Sequence, residues 1–309
     1  MFYFHLPDNK LKIACDFLFY DVFINCLELK PIVAWKLRNA KENQFYYFLS
    51  LIKQAVECLM AGKPVLSADR LKKGTYMSQY PQWYYDEFKQ IGVDYTDLEE
   101  AQAYDLRMQA LRDTENEANN LRELLGIKNT DRILEIGTGT GELALKLSEH
   151  CKKIVAIDVS KTMVEFAKMK AESQNKKSIQ FYTAGFLTYE HCTEPFDVII
   201  TQLALHHLPD YWKLIALRRV YGMLREGGKF YLLDVVFPSQ IRDYDSYFNK
   251  IITNLRETAG NELAEETETH IREEFSTLDW IMEGLLKSAG FYIESVNYDG
   301  FMAGYLCRK

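Results

Sequence analysis

The hydrophobic positions of this chain change their period near Gly126. Before it, apolar residues recur every three or four positions in LKIACDFLFYDVFINCLEL and in NQFYYFLSLIKQAVECLMAG, where Gly62 and Pro64 end the run. That spacing predicts amphipathic helices over most of residues 1–75. The stretch GTYMSQYPQWYYDEF (Gly74–Phe88) opens like a turn and then carries Tyr76, Tyr80, Trp83, Tyr84 and Tyr85. Another helix is predicted from about Asp97 to Leu125, with Gly126 as its stop.

After Gly126, short β-branched runs alternate with amphipathic segments. Strands are predicted at Arg132–Ile136, Lys153–Asp158, Ser178–Tyr182, Phe196–Thr201 and Lys229–Val236. Helices fall between them at Gly141–His150, Lys161–Ser173 and Asp210–Leu224. This alternation reads as an α/β fold with a doubly wound, mostly parallel sheet. The end differs: a helix at about Leu278–Ala289 precedes two strands around Asp299-Gly300, a hairpin signal. The expected architecture is therefore a seven-stranded, mostly parallel sheet closed by an antiparallel C-terminal hairpin, with a helical N-terminal region. A helical cap over residues 1–100 and a main domain over 101–309 follow. An acidic insert at about 238–277 interrupts the main domain, with 9 acidic and 4 basic residues from Gln240 to Phe275.

Composition narrows the ligand classes. The net charge of -7 opposes broad binding to a nucleic-acid backbone, which requires a basic surface. The six cysteines form no C-x-x-C pair, so neither a zinc knuckle nor a redox dithiol is indicated, and no metal is expected. No apolar run approaches the roughly 20 residues of a membrane span. A reduced, cytoplasmic protein without membrane association is expected.

The stretch ILEIGTGTGELAL (Ile133–Leu145) carries the first chemical signal. A dinucleotide fingerprint has the spacing G-x-G-x-x-G. Here the glycines are Gly137, Gly139 and Gly141, and Glu142 occupies the place of the third fingerprint glycine. An acid at a helix N-terminus competes with a pyrophosphate for the positive end of the dipole. Glu135, at the carboxyl end of the first strand, suits a cationic ligand better than a phosphate. Asp158 ends the second strand, where a carboxylate accepts both hydroxyls of a ribose. A ligand with a ribose and a positive group, and without phosphate, fits these residues. S-adenosylmethionine has those features.

ILEIGTGTG, VAIDVS, FDVIITQLALHHL and MLREGGKFYLLD together resemble the class I S-adenosylmethionine-dependent methyltransferases, over roughly Leu121 to the C-terminus. The resemblance implies a cofactor site. Gly137, Thr138, Gly139 and Gly141 would border the methionine part, and Glu135 would order its amino group. Asp158 would bind the ribose. Val159 would pack on the adenine, and Met163 either packs there too or fills the core. Many members carry an acid after the third strand that bonds the adenine amino group. Here Gly185 stands there, so adenine would rely on backbone groups near Gly185 and Phe186. Thr201 and Gln202 would lie beside the methyl site.

Methyl transfer requires alignment of acceptor and methyl, and an oxygen or protonated nitrogen acceptor also requires a base. LHHLPDYWKLIALRRVYGMLREGGKFYLLDVVFP resembles the matching region of helical-capped small-molecule O-methyltransferases. That match makes His206 the candidate base and Asp234 its orienting acid, with His207 beside it as a second candidate. The aromatics from Tyr76 to Tyr85 either line an acceptor pocket or fill a helical core. Tyr244, Tyr247 and Phe248 of the insert either close that pocket or pack plainly. The expectation is methylation of an O or N atom of a small molecule, with homodimerisation through the N-terminal helices as one arrangement. A tRNA or protein methyltransferase and a non-catalytic cofactor-binding protein are the alternatives, and an NAD dehydrogenase is the weakest.

Overall fold

A computed structural model of the chain describes residues 80–89, 113–191 and 193–309. The helices expected over residues 1–75, the first part of the helix expected from Asp97, Tyr76 and the N-terminal dimer surface lie outside the described residues.

The described elements begin with α1 (Thr114–Leu125), capped by the Asp113 carboxylate, which accepts the Asn116 N–H at 3.0 Å. Gly126 ends it in the left-handed region (φ 63), where its N–H reaches the carbonyls of Arg122 and Glu123. The alternation then follows: β1 (Arg132–Ile136), α2 (Glu142–Leu147), β2 (Lys153–Asp158), α3 (Lys161–Ser173), β3 (Ile179–Thr183), β4 (Phe196–Gln202), α4 (Asp210–Met223) and β5 (Leu224–Phe237). The insert forms two helices, α5 (Tyr244–Ala259) and α6 (Asn261–Glu273). A two-residue strand β6 (Thr277–Leu278), helix α7 (Asp279–Ala289) and strands β7 (Tyr292–Asp299) and β8 (Met302–Arg308) complete the chain.

The sheet runs β3-β2-β1-β4-β5-β8-β7, with β6 added beside the end of β5. Pairing is parallel from β3 through β5 and antiparallel for β5–β8 and β7–β8. The expected architecture is present, and β6 adds an eighth strand too short for periodicity to reveal. β5 also starts earlier than expected, at Leu224 instead of Lys229.

Side chains of a strand alternate between faces, and here both faces are covered. Ile133, Ile154, Ala156, Val198 and Ile200 pack with α1, α2 and α3. Leu134, Ile136, Val155, Ile157 and Ile199 pack on the other side with α4 and α7. Burial on both sides is the reason these strands read as continuous apolar runs. Strand order reverses between β1 and β4, and a crevice opens beyond their carboxyl ends. No helix among the described residues is long and apolar enough to cross a membrane.

Candidate functional site

A cavity of about 420 Å³ occupies this crevice. One end is the loop after β1. All three glycines there have positive φ: 75 at Gly137, 53 at Gly139 and 80 at Gly141. The reasons differ between them. A Cβ on Gly137 would lie 2.4 Å from the Ala204 Cβ, and one on Gly141 2.9 Å from the Ala167 Cβ. Gly137 thus lets the loop after β4 approach, while Gly141 lets α3 approach and does not border the cavity. At Gly139 the space is open. Its N–H donates to Asp158 Oδ2 at 2.8 Å, and the Ser160 N–H donates to Oδ1 at 2.8 Å. Burial pushes the Asp158 carboxyl up in pKa, against the pull of these two backbone bonds. An ionised carboxylate has about four acceptor sites, so both oxygens keep capacity toward the cavity. Glu135 is buried and accepts the Thr138 hydroxyl at 2.9 Å.

Val159, Met163, Gly185 and Phe186 border the same end, as does Gln202, whose amide donates to Glu117 Oε1 at 2.6 Å. Thr201 is elsewhere. It is fully buried, does not border the cavity, and donates its hydroxyl to the Ile136 carbonyl at 2.9 Å, tying β4 to β1.

Glu87 fills, with its carboxylate, the space that a side chain at position 185 would take. Its carboxylate accepts the Leu187 N–H at 3.0 Å and the Thr188 hydroxyl at 2.6 Å, and it borders the cavity. A Cβ on Gly185 would lie 2.5 Å from the Glu87 carboxyl carbon. Gly185 is therefore small because a carboxylate from elsewhere fills its side-chain space. The backbone of Gly185 is also engaged: its N–H donates to Thr188 Oγ1 at 3.0 Å and its carbonyl accepts from Tyr189 N. Burial raises the Glu87 pKa, opposed by these hydrogen bonds.

The aromatics beside Glu87 anchor its segment and do not border the cavity. Tyr80 stacks on Tyr84, Tyr84 meets the edge of Trp212, and Trp83 is exposed. The Tyr84 hydroxyl donates to the Leu187 carbonyl at 3.2 Å and that of Tyr85 to the His207 carbonyl at 3.1 Å.

At the other end of the cavity, a short turn (Leu205–His207) follows β4. Leu203 enters it with φ 53, a strained value for a residue with a side chain. Asp234 on β5 is fully buried and accepts three donors: the His206 N–H at 3.0 Å, His206 Nδ1 at 2.5 Å and the Val235 N–H at 2.8 Å. The structure thus brings His206 and Asp234, paired in the sequence reading, into direct contact. A second carboxylate was not expected. Glu274, just past α6, places Oε2 3.1 Å from His206 Nε2, 2.6 Å from His270 Nδ1 and 4.0 Å from His207 Nδ1.

Burial alone would depress the His206 pKa, but Asp234 and Glu274 outweigh it and hold it at about 9. His207 is pushed down to about 4 by burial and by the neighbouring His206 charge. Burial opposes ionisation of Glu274, yet His206 and His270 keep its carboxyl well below the usual range.

The residue after Glu274 is held by a buried lysine. Lys213 on α4 donates to Asp210 Oδ1 at 2.8 Å and to the Phe275 carbonyl, while the Phe275 N–H donates to the His206 carbonyl at 3.0 Å. Leu255, Leu263, Thr267 and His270 of the insert roof the cavity. Tyr244 is exposed instead, Tyr247 packs on Phe248, and Phe248 meets the edge of Phe237.

A family profile described as a methyltransferase domain matches residues 133–228. An uncharacterized methyltransferase of Geobacillus sp. (strain WCH70) is 30% identical over 170 residues, 55% of this chain and 74% of that protein. One from Geobacillus kaustophilus (strain HTA426) is 29% identical over 218 residues, 69% of this chain and 95% of that protein. Among solved structures, a SAM dependent methyltransferase from Aquifex aeolicus is similar, with 19% identity and a TM-score of 0.49, over 69% of this chain and 98% of that one.

Proposed function

Because this chain belongs to the class I S-adenosylmethionine-dependent methyltransferases, we propose that it methylates an oxygen or nitrogen atom of a small molecule. One observation carries the reading: a single cavity joins the glycine loop to the histidine cluster beneath the insert. A volume of about 420 Å³ lies within the range of small-ligand pockets, roughly 300–1,000 Å³. It suits a cofactor with a small acceptor, and a polymer needs an open face instead. The net charge of -7 also disfavours tRNA.

In this proposal the cofactor lies at the end bordered by Gly137, Thr138 and Gly139. Glu135 orders its amino group and Asp158 its ribose hydroxyls. Val159, Met163 and Phe186 flank the adenine, and Glu87 faces the adenine amino group in place of the absent acid. Gln202 and Ala204 face the methyl group. The acceptor occupies the end bordered by His206, His207 and Glu274. When bound, the cofactor would supply an electrophilic methyl group to the acceptor's lone pair. His206 is already protonated at neutral pH, so the neutral His207 would take up the proton the acceptor loses. Holding the reactants in line supplies much of the rate. We place this chemistry in the cytoplasm.

Methyl-labelled cofactor, supplied with pools of phenols, alcohols and amines and in parallel with bulk tRNA and protein, tests the reading. Label should enter the small-molecule pools alone. Label confined to tRNA or protein would overturn the acceptor class. Tight binding without consumption in any pool would favour a non-catalytic role.

A further inference from the structure

The histidine cluster has a feature that proton transfer does not explain. Glu274 Oε2 is buried and forms no aligned hydrogen bond, although imidazole nitrogens surround it. A buried carboxylate oxygen normally has a well-directed partner. The rings are also crowded, with centroids 4.3 Å apart for His206 and His207 and 4.6 Å for His206 and His270. One atom each from His206, His207 and Glu274 converges within 4.8 Å.

We propose that His206, His207 and Glu274 bind a divalent transition-metal cation, zinc or a similar borderline ion. Two imidazoles and a carboxylate are a donor set such ions take. The atoms assigned are His206 Nε2, His207 Nδ1 and Glu274 Oε2. Ligand atoms about 2.0–2.2 Å from a tetrahedral ion lie about 3.3 Å from each other. The 3.1 Å separation of His206 Nε2 and Glu274 Oε2 already matches. The 4.0 Å separation at His207 Nδ1 closes with a small turn of a half-buried ring.

The surroundings suit the assignment. Asp234 engages His206 Nδ1, which presents Nε2 to the ion, as carboxylates do behind metal-bound imidazoles. His270 lies against Glu274, and its Nε2 is 2.7 Å from Ser276 Oγ. The backbone link between Phe275 and His206 holds the carboxylate's segment against the histidine turn. All three ligands border the cavity, so the remaining coordination positions face the acceptor. The inference deepens the acceptor reading: it selects acceptors with a heteroatom able to ligate the cation, and with both imidazoles engaged as ligands the proton of the acidified, cation-bound heteroatom would leave to solvent.

Protein freed of affinity tags and dialysed against chelator is titrated with zinc by calorimetry and with cobalt by absorbance. Wild type should bind one equivalent, with a cobalt spectrum of imidazole and carboxylate ligation and no thiolate charge-transfer band. Glu274→Gln and His207→Ala should each weaken binding at least tenfold while keeping wild-type affinity for S-adenosylhomocysteine. Asp234→Asn should weaken it about 10–100-fold. No binding by wild type up to millimolar metal, a thiolate spectrum, or undiminished binding in folded Glu274→Gln and His207→Ala would each overturn the site. If a variant does not fold, the wild-type stoichiometry and spectrum decide. Methylation of a small molecule by chelated protein that binds no metal would remove this inference and leave the acceptor reading standing. Metal binding with label confined to tRNA or protein would do the reverse.

Discussion

Glu87 couples two properties with opposite signs. Its carboxyl is buried and its pKa raised. A group of this kind contributes stability below its unfolded value, about 4.5. That contribution is lost as pH rises through the higher folded value. The ionised form therefore weakens the fold at neutral pH. Glu87→Gln keeps an acceptor for Leu187 N–H and Thr188 while removing the charge. Urea unfolding at pH 7.5 should show the variant equal or more stable by about 1 kcal/mol, with a flatter dependence on pH. Calorimetry should show affinity for S-adenosylhomocysteine reduced about tenfold, and equal affinity would detach Glu87 from the proposed adenine contact. Asp158→Ala should weaken the same ligand by roughly 1.5–3 kcal/mol, the range for hydrogen bonds to charged groups. It should also lower the melting temperature, because the Gly139 and Ser160 amides lose their acceptor. Asp158 was legible because it ends a strand at a fixed distance from the glycine loop. Glu87 was not, because it is about a hundred residues from Leu187 in sequence and no local pattern links them.

At the element level, the parallel strands were legible because they are apolar on both faces and bounded by turn residues. The insert was not. Its acidic composition reads as a solvated surface, yet one side of α5 and α6 roofs the cavity through Leu255, Leu263 and Thr267. Its aromatics drew attention, but Tyr244 is exposed and Phe248 packs on Phe237. Glu274 was hidden among nine acids in the stretch, and only the fold brings it to the histidines. The insert is held to α4 by Lys213, so Lys213→Met tests whether this element shapes the acceptor end. We expect a loss of about 1–3 kcal/mol in unfolding free energy and at least tenfold in kcat/KM for the acceptor, with cofactor affinity unchanged. A parallel fall in cofactor affinity would show that the two ends are not independent. Between β1 and α2, Gly137→Ala meets both a positive φ and the Ala204 Cβ at 2.4 Å. It should lower unfolding free energy by about 1–3 kcal/mol and weaken S-adenosylhomocysteine, as read by denaturation and calorimetry.

Across the whole molecule, the proposed cofactor end and acceptor end come from different stretches of chain. The first uses the loops after β1, β2 and β3 together with Glu87. The second uses the turn after β4, Asp234 on β5 and the insert. A ligand at 100 times its Kd stabilises a fold by about 2.7 kcal/mol. S-adenosylhomocysteine at that excess should raise the melting temperature of wild type and of Glu274→Gln alike, and should raise that of Asp158→Ala far less at the same concentration. An equal rise in all three would contradict the division.

The pairing of Val236 with Thr277 and Phe237 with Leu278 has a consequence for how such a protein changes over time. The insert leaves and rejoins the sheet at adjacent, hydrogen-bonded strands, so its two ends are stitched together whatever lies between. A lineage can lengthen, shorten or exchange residues 238–276 without disturbing the strands that carry the glycine loop. The same seam is a natural graft point for an engineer: a foreign roof sewn in there would bring its own acceptor range to an inherited methyl-donor machine.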